Sequence, residues 1–85
     1  MFREISVWKH VDGASAARYR CFQCVNTGVY AVQSVDFYRL PIDEKQLAHF
    51  DRQFVELLVE SSPLARCEWF ETIEEAISCH EANFS

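Results

Sequence analysis

Cys21-Phe22-Gln23-Cys24 sets two thiols at the spacing of a zinc half-site, and Cys67, Cys79 and His80 are the side chains that could complete it. A structural zinc ion takes four sulfur or nitrogen ligands in a tetrahedron. The chain around these residues does not suit one. The first pair falls in a stretch that reads as β-strand, where positions three apart point to opposite faces. Cys67 and Cys79 are far apart in sequence, and Cys79 and His80, adjacent on a helix, diverge by about 100°. Zinc binding through Cys21, Cys24, Cys67 and Cys79 or His80 is therefore the alternative. Free thiols packed as small apolar residues, with no metal and no cofactor, are the preferred reading. A redox dithiol would need a helix N-terminus to hold a thiolate, and none follows Cys24.

Other catalytic patterns are missing. A cysteine nucleophile needs a histidine oriented beside it, and no spacing ties His10, His49 or His80 to a thiol. Gly13 and Gly28 stand alone, which leaves no phosphate-cradling loop, and there is no Gly-x-Ser-x-Gly elbow. The expectation is a non-enzymatic protein with no evident small-molecule substrate.

The elements follow from periodicity and turn chemistry. Residues 2–11, 17–25 and 29–38 mix β-branched and aromatic residues with polar ones, as strands do. Asp12-Gly13-Ala14-Ser15 supplies the first turn and Asn26-Thr27-Gly28 the second, with Gly28 able to take a positive φ. Asp43-Glu44-Lys45-Gln46 reads as a capping box. It opens a helix with Leu47, Phe50, Phe54, Leu57 and Leu58 on one stripe and Glu44, Lys45, Asp51, Arg52 and Glu56 on the polar side. Ser61-Ser62-Pro63 ends it. Residues 66–70 read as a short strand at the sheet edge, and Thr72-Ile73-Glu74-Glu75 caps a last helix with Ile73, Ala76, Ile77, His80 and Phe84 along one side. The order β-β-β-α-β-α predicts an α+β fold in which an antiparallel sheet of three to four strands carries both helices on one face.

Alternation then sorts the strand residues. Arg18 and Arg20 do not fit easily beneath helices, so Arg18, Arg20, Phe22 and Cys24 are assigned to the open face, with Trp8, Tyr30 and Tyr38 beside them. Tyr19, Cys21 and Val25 point inward. Aromatic and arginine side chains are enriched at interface hot spots. Trp8, Arg18, Arg20, Tyr30 and Tyr38 are thus the expected anchors of a protein-interaction face, for a protein partner or, most simply, a second copy forming a homodimer. Such a face could also stack single-stranded nucleic acid. Gly28-Val29-Tyr30-Ala31-Val32 resembles the aromatic strand of RNA-recognition modules, although the order of elements differs. Nucleic acid ranks last among the partners.

Charge and composition limit the classes further. Residues 1–41 carry five basic residues against three acids, and residues 42–85 carry three against ten. An acidic chain is a poor general nucleic-acid binder. The acidic half suits solubility, or an inhibitor or immunity-like protein steered toward a basic partner. At 85 residues there is room for one domain, spanning 1–85, that buries about 60% of the surface its unfolded chain exposes. With 49% hydrophobic residues and only 2 Gly and 2 Pro, the chain is expected to fold. No apolar run approaches the ~20 residues of a membrane span and no secretory leader is evident, so a cytoplasmic location is expected.

Overall fold

The computed structural model describes residues 1–84. Three strands, β1 (Phe2–Asp12), β2 (Ser15–Cys24) and β3 (Tyr30–Arg39), form an antiparallel sheet in the order β1-β2-β3. In the β1–β2 turn, the Asp12 carboxylate accepts from the Ala14 amide at 2.8 Å, closing the loop as aspartate commonly does. In the β2–β3 turn, Gly28 has φ 77° and donates to the Cys24 carbonyl at 2.7 Å, the left-handed position that glycine takes without steric cost.

Helix α1 (Glu44–Glu60) begins where the Asp43 side chain accepts from the Lys45 amide at 2.9 Å. Between it and the last helix lies a one-turn helix, α2 (Pro63–Arg66). Helix α3 (Ile73–Phe84) begins beneath Thr72, whose hydroxyl accepts from the Glu75 amide at 3.2 Å, with Glu74 and Glu75 favourably placed in the first turn.

The α+β class and the three-stranded antiparallel sheet are as expected. The short strand over 66–70 is not formed. Ser62 caps α2 with Pro63 at its first position, a combination that starts a helix rather than merely stopping one. Within 66–70 the backbone then meets the sheet at Phe70, through an isolated bridge to Tyr30 with bonds of 2.7 and 2.8 Å.

Nor do the helices share a face. Helix α3 lies over Ala17, Tyr19 and Cys21, against which Ile5, Val7, Val32, Val35, Ile73 and Ile77 pack. Helix α1 lies over the opposite side. Its Phe54 stacks on Phe22 at 5.4 Å between ring centroids, and its Phe50 meets Tyr38 edge-on at 5.5 Å. Neighbouring residues of a strand point to opposite faces, so Tyr19 and Cys21 on one side and Arg20 and Phe22 on the other define two half-cores. Phe2 extends the second half-core, stacked on Trp69 at 5.8 Å.

A β-bulge sets the phase along β3. Arg20 pairs with Ser34 while Cys21 pairs with Val32, which leaves Gln33 as the extra residue. Val32 and Val35, three apart, consequently reach the same half-core.

The burial pattern predicts sharply different costs along one helix. Phe54→Ala should destabilise the protein by about 3–5 kcal/mol through lost burial and the cavity it leaves. Val59→Ala, at a residue 78% exposed, should stay within about 0.5 kcal/mol of wild type. Urea unfolding of the two variants checks this.

Candidate functional site

Arg20 is 2% exposed and lies beneath α1. Its Nε donates to Asp36 at 2.6 Å, its Nη2 to Asp51 at 2.7 Å and more weakly to the Tyr38 hydroxyl at 3.4 Å, and its guanidinium stands 5.0 Å from the Phe54 ring centre. Burial works against the charge, but the bonds to Asp51, Tyr38 and Asp36 outweigh it and hold the guanidinium above its ordinary pKa. The expected open face is therefore closed. A buried arginine is tolerated there because α1 brings one carboxylate and β3 another.

The five expected anchors fall into three environments. Arg20 and Tyr38 are buried under α1. Tyr30 lies beyond the Gln33 bulge, opposite Gln23 and on the Cys21 side, where its hydroxyl accepts from Gln23 at 3.1 Å. Arg18 and Trp8 stay together at the margin of the α1 face. The Arg18 guanidinium lies 5.3 Å from the Trp8 ring centre, donates to Ser6 at 3.0 Å and pairs with Glu4 at 3.6 Å. Trp8 contacts Tyr38 at 5.3 Å and is 57% exposed.

Beside Trp8 opens a shallow concavity of about 410 Å³, walled by Ala16, Tyr38, Leu40, Ile42 and Leu47. Leu40 is 60% and Ile42 49% exposed. These two flank Pro41 in the β3–α1 connection, outside both the strand and the helix periodicity. Two large apolar residues in a connector are the sequence signal that alternation and helical spacing pass over.

A second cavity, about 560 Å³, lies between the sheet and α3, with Lys9, Tyr19, Val35, Phe37 and Glu81 among its walls. Tyr19 donates to Glu81 at 2.7 Å, and Lys9 pairs with the same carboxylate at 3.7 Å. The bond from Tyr19, then the charge of Lys9, hold Glu81 below its ordinary value, while the same bond and burial push Tyr19 up to about 12. These groups satisfy one another, so the cluster ties α3 to the sheet.

The four cysteines are free thiols. Cys21 and Cys24 leave β2 on opposite faces, so one ion cannot take both. Cys67, Cys79 and His80 border a separate hollow of about 230 Å³, where Cys79 donates to Glu68 at 3.8 Å and accepts from Asn83 at 3.6 Å. Among the described residues, no group of three or more His, Cys, Asp or Glu side chains converges on a point that could hold a metal. Burial raises the Cys21 thiol to about 11. The hydroxyl of Thr27, the largest of several influences, lowers Cys24.

Set against family models, curated proteins and solved structures, the chain matches none. No helix among the described residues is long and apolar enough to cross a membrane.

The two charged clusters should respond differently to substitution and to pH. Asp36→Asn, which strips a carboxylate from a buried guanidinium, should cost about 3–5 kcal/mol. Asp51→Asn, at a solvent-exposed partner, should cost about 1 kcal/mol or less by urea unfolding. The Tyr19–Glu81 bond should add stability that is lost below about pH 4.5, as Glu81 is protonated, and again between about pH 10 and about 12, as Tyr19 ionises. Tyr19→Phe should flatten both limbs of the stability–pH curve.

Proposed function

We propose that this protein is a non-catalytic interaction module that binds a protein partner through the apolar end of the sheet around Trp8. One observation carries the reading: Trp8, Leu40 and Ile42 are each about half exposed or more and border one concavity. Exposed apolar residues gathered at a recess mark interaction sites more often than the same residues scattered singly. Trp8 is of the type that anchors interfaces, and Arg18, held against its ring, supplies a planar polar rim. The partner that fits presents an extended segment with one apolar side chain for the recess. The free thiols suit a reducing compartment, and the module is read as cytoplasmic.

The alternatives have less support. Nucleic-acid stacking on the sheet would need Phe22 and Tyr38, which α1 covers. An acidic docking face would need the acids of α1 and α3 together, and those helices lie on opposite sides of the sheet.

Selection of a displayed random-peptide library on the immobilised protein tests the proposal. Selected peptides should share one large apolar residue and lose about tenfold or more in affinity for Trp8→Ala and for Leu40→Asp, with the unfolding midpoints of both variants near wild type. Peptides that bind both variants as tightly as wild type would overturn it.

A further inference from the structure

The two edges of the sheet differ in how much is covered: among the described residues, β3 is closed at its Tyr30 end alone, and β1 offers the longer free edge. On β3, Tyr30 turns its N–H and C=O outward and Phe70 takes both. β1 has no strand partner on its outer side among the described residues. It runs for eleven residues without proline. A free edge of that length is a template for another strand.

The ladder shows which β1 groups are free. Val25 donates to the Met1 carbonyl at 3.0 Å, and Leu40 donates to the Ala14 carbonyl at 2.8 Å. Antiparallel residues alternate between bonding one neighbour and the other. Both bonds give the same phase: Arg3, Ile5, Val7 and Lys9 bond β2, while Glu4, Ser6, Trp8 and His10 present N–H and C=O to solvent.

We infer that β1 pairs antiparallel with β1 of a second copy, with Val7 on the twofold axis, joining two sheets into one of six strands. Charge and burial favour this register over its two neighbours. A twofold perpendicular to the sheet keeps side chains on their faces, so neighbouring registers differ by moving the axis one residue along β1. With the axis at Val7, Glu4 opposes His10 of the second copy, Ser6 opposes Trp8, Ile5 opposes the Lys9 stem, and Val7 opposes itself. No like charges meet, and the half-buried Ile5 and Val7 are covered. With the axis at Ser6, Arg3 would oppose Lys9. With it at Trp8, Glu4 would oppose Asp12 across the irregularity between His10 and Asp12. Like charges directly opposite are destabilising. The Val7 register also brings Glu4, Ser6, Trp8 and His10 together as hydrogen-bonded pairs, each exchanging two bonds. The pairing uses backbone groups of β1 and does not depend on a partner in the Trp8 recess.

Sedimentation equilibrium of the full chain under reducing conditions tests this. Wild type should form a species of twice the 9.9 kDa monomer. His10→Glu would set a new carboxylate against Glu4 of the second copy at both ends of the pairing and should weaken the dimer by about tenfold. Adding Glu4→Gln to His10→Glu removes the repulsion without setting a new cation beside Arg18 and should recover it. Both positions are exposed, and circular dichroism should show the fold unchanged. In the wild-type dimer, the Ser6 and Trp8 amides should exchange with solvent more slowly than in the His10→Glu monomer. A wild-type monomer at ~100 µM (an affinity too weak for a working dimer), or a dimer indifferent to His10→Glu, would overturn the inference.

Discussion

A guanidinium buried between a sheet and a helix governs how this chain is layered. Arg20 projects from the central strand into a region with little water, where an unpaired charge would be very costly. Asp36 meets it from β3 and Asp51 from α1, and the Phe54 ring lies against it. Once α1 is held there, its aromatic stripe covers Phe22 and Tyr38. α3 covers Tyr19 and Cys21, and the apolar recess around Trp8 lies at the end of the sheet, where Leu47 of α1 forms part of its wall. Where the exposed apolar recess lies thus follows from where the buried charge is neutralised.

Strands, turns and helix caps were legible because each depends on residues close in sequence. Asp12 in the first turn, Gly28 at positive φ, and Asp43 and Thr72 as caps act within a few residues of themselves. The assignment of sheet faces was not, because it depends on pairs far apart. Treating Arg18 and Arg20 as unfit for burial is sound for an isolated arginine and fails for one with two carboxylates. The clue is Asp51. Read with Leu47, Phe50, Phe54 and Leu58, it falls at a stripe position of α1 rather than on the polar side, and an acid in an apolar stripe calls for a buried cation opposite.

The second departure has a different cause. One extra residue, Gln33, reverses the alternation along β3, so Tyr30 and Tyr38 leave the strand on different sides. Val32 and Val35, both directed to the α3 half-core, are the trace of this in the sequence, since a regular strand would separate them. Trp8 and Arg18 lie against each other. Leu40, Ile42 and Leu47 joined them only through the path of the chain around Pro41, which no local pattern encodes.

Nuclear Overhauser contacts in the reduced protein, with selectively labelled phenylalanines, report whether α1 covers the Arg20 face of the sheet. The stacked rings at 5.4 Å predict strong contacts between Phe54 and Phe22, and the edge-on pair at 5.5 Å predicts them between Phe50 and Tyr38. Contacts from Phe54 to Tyr19 or Val35 instead, with none to Phe22, would put both helices on one face and rule out a sheet covered on both sides.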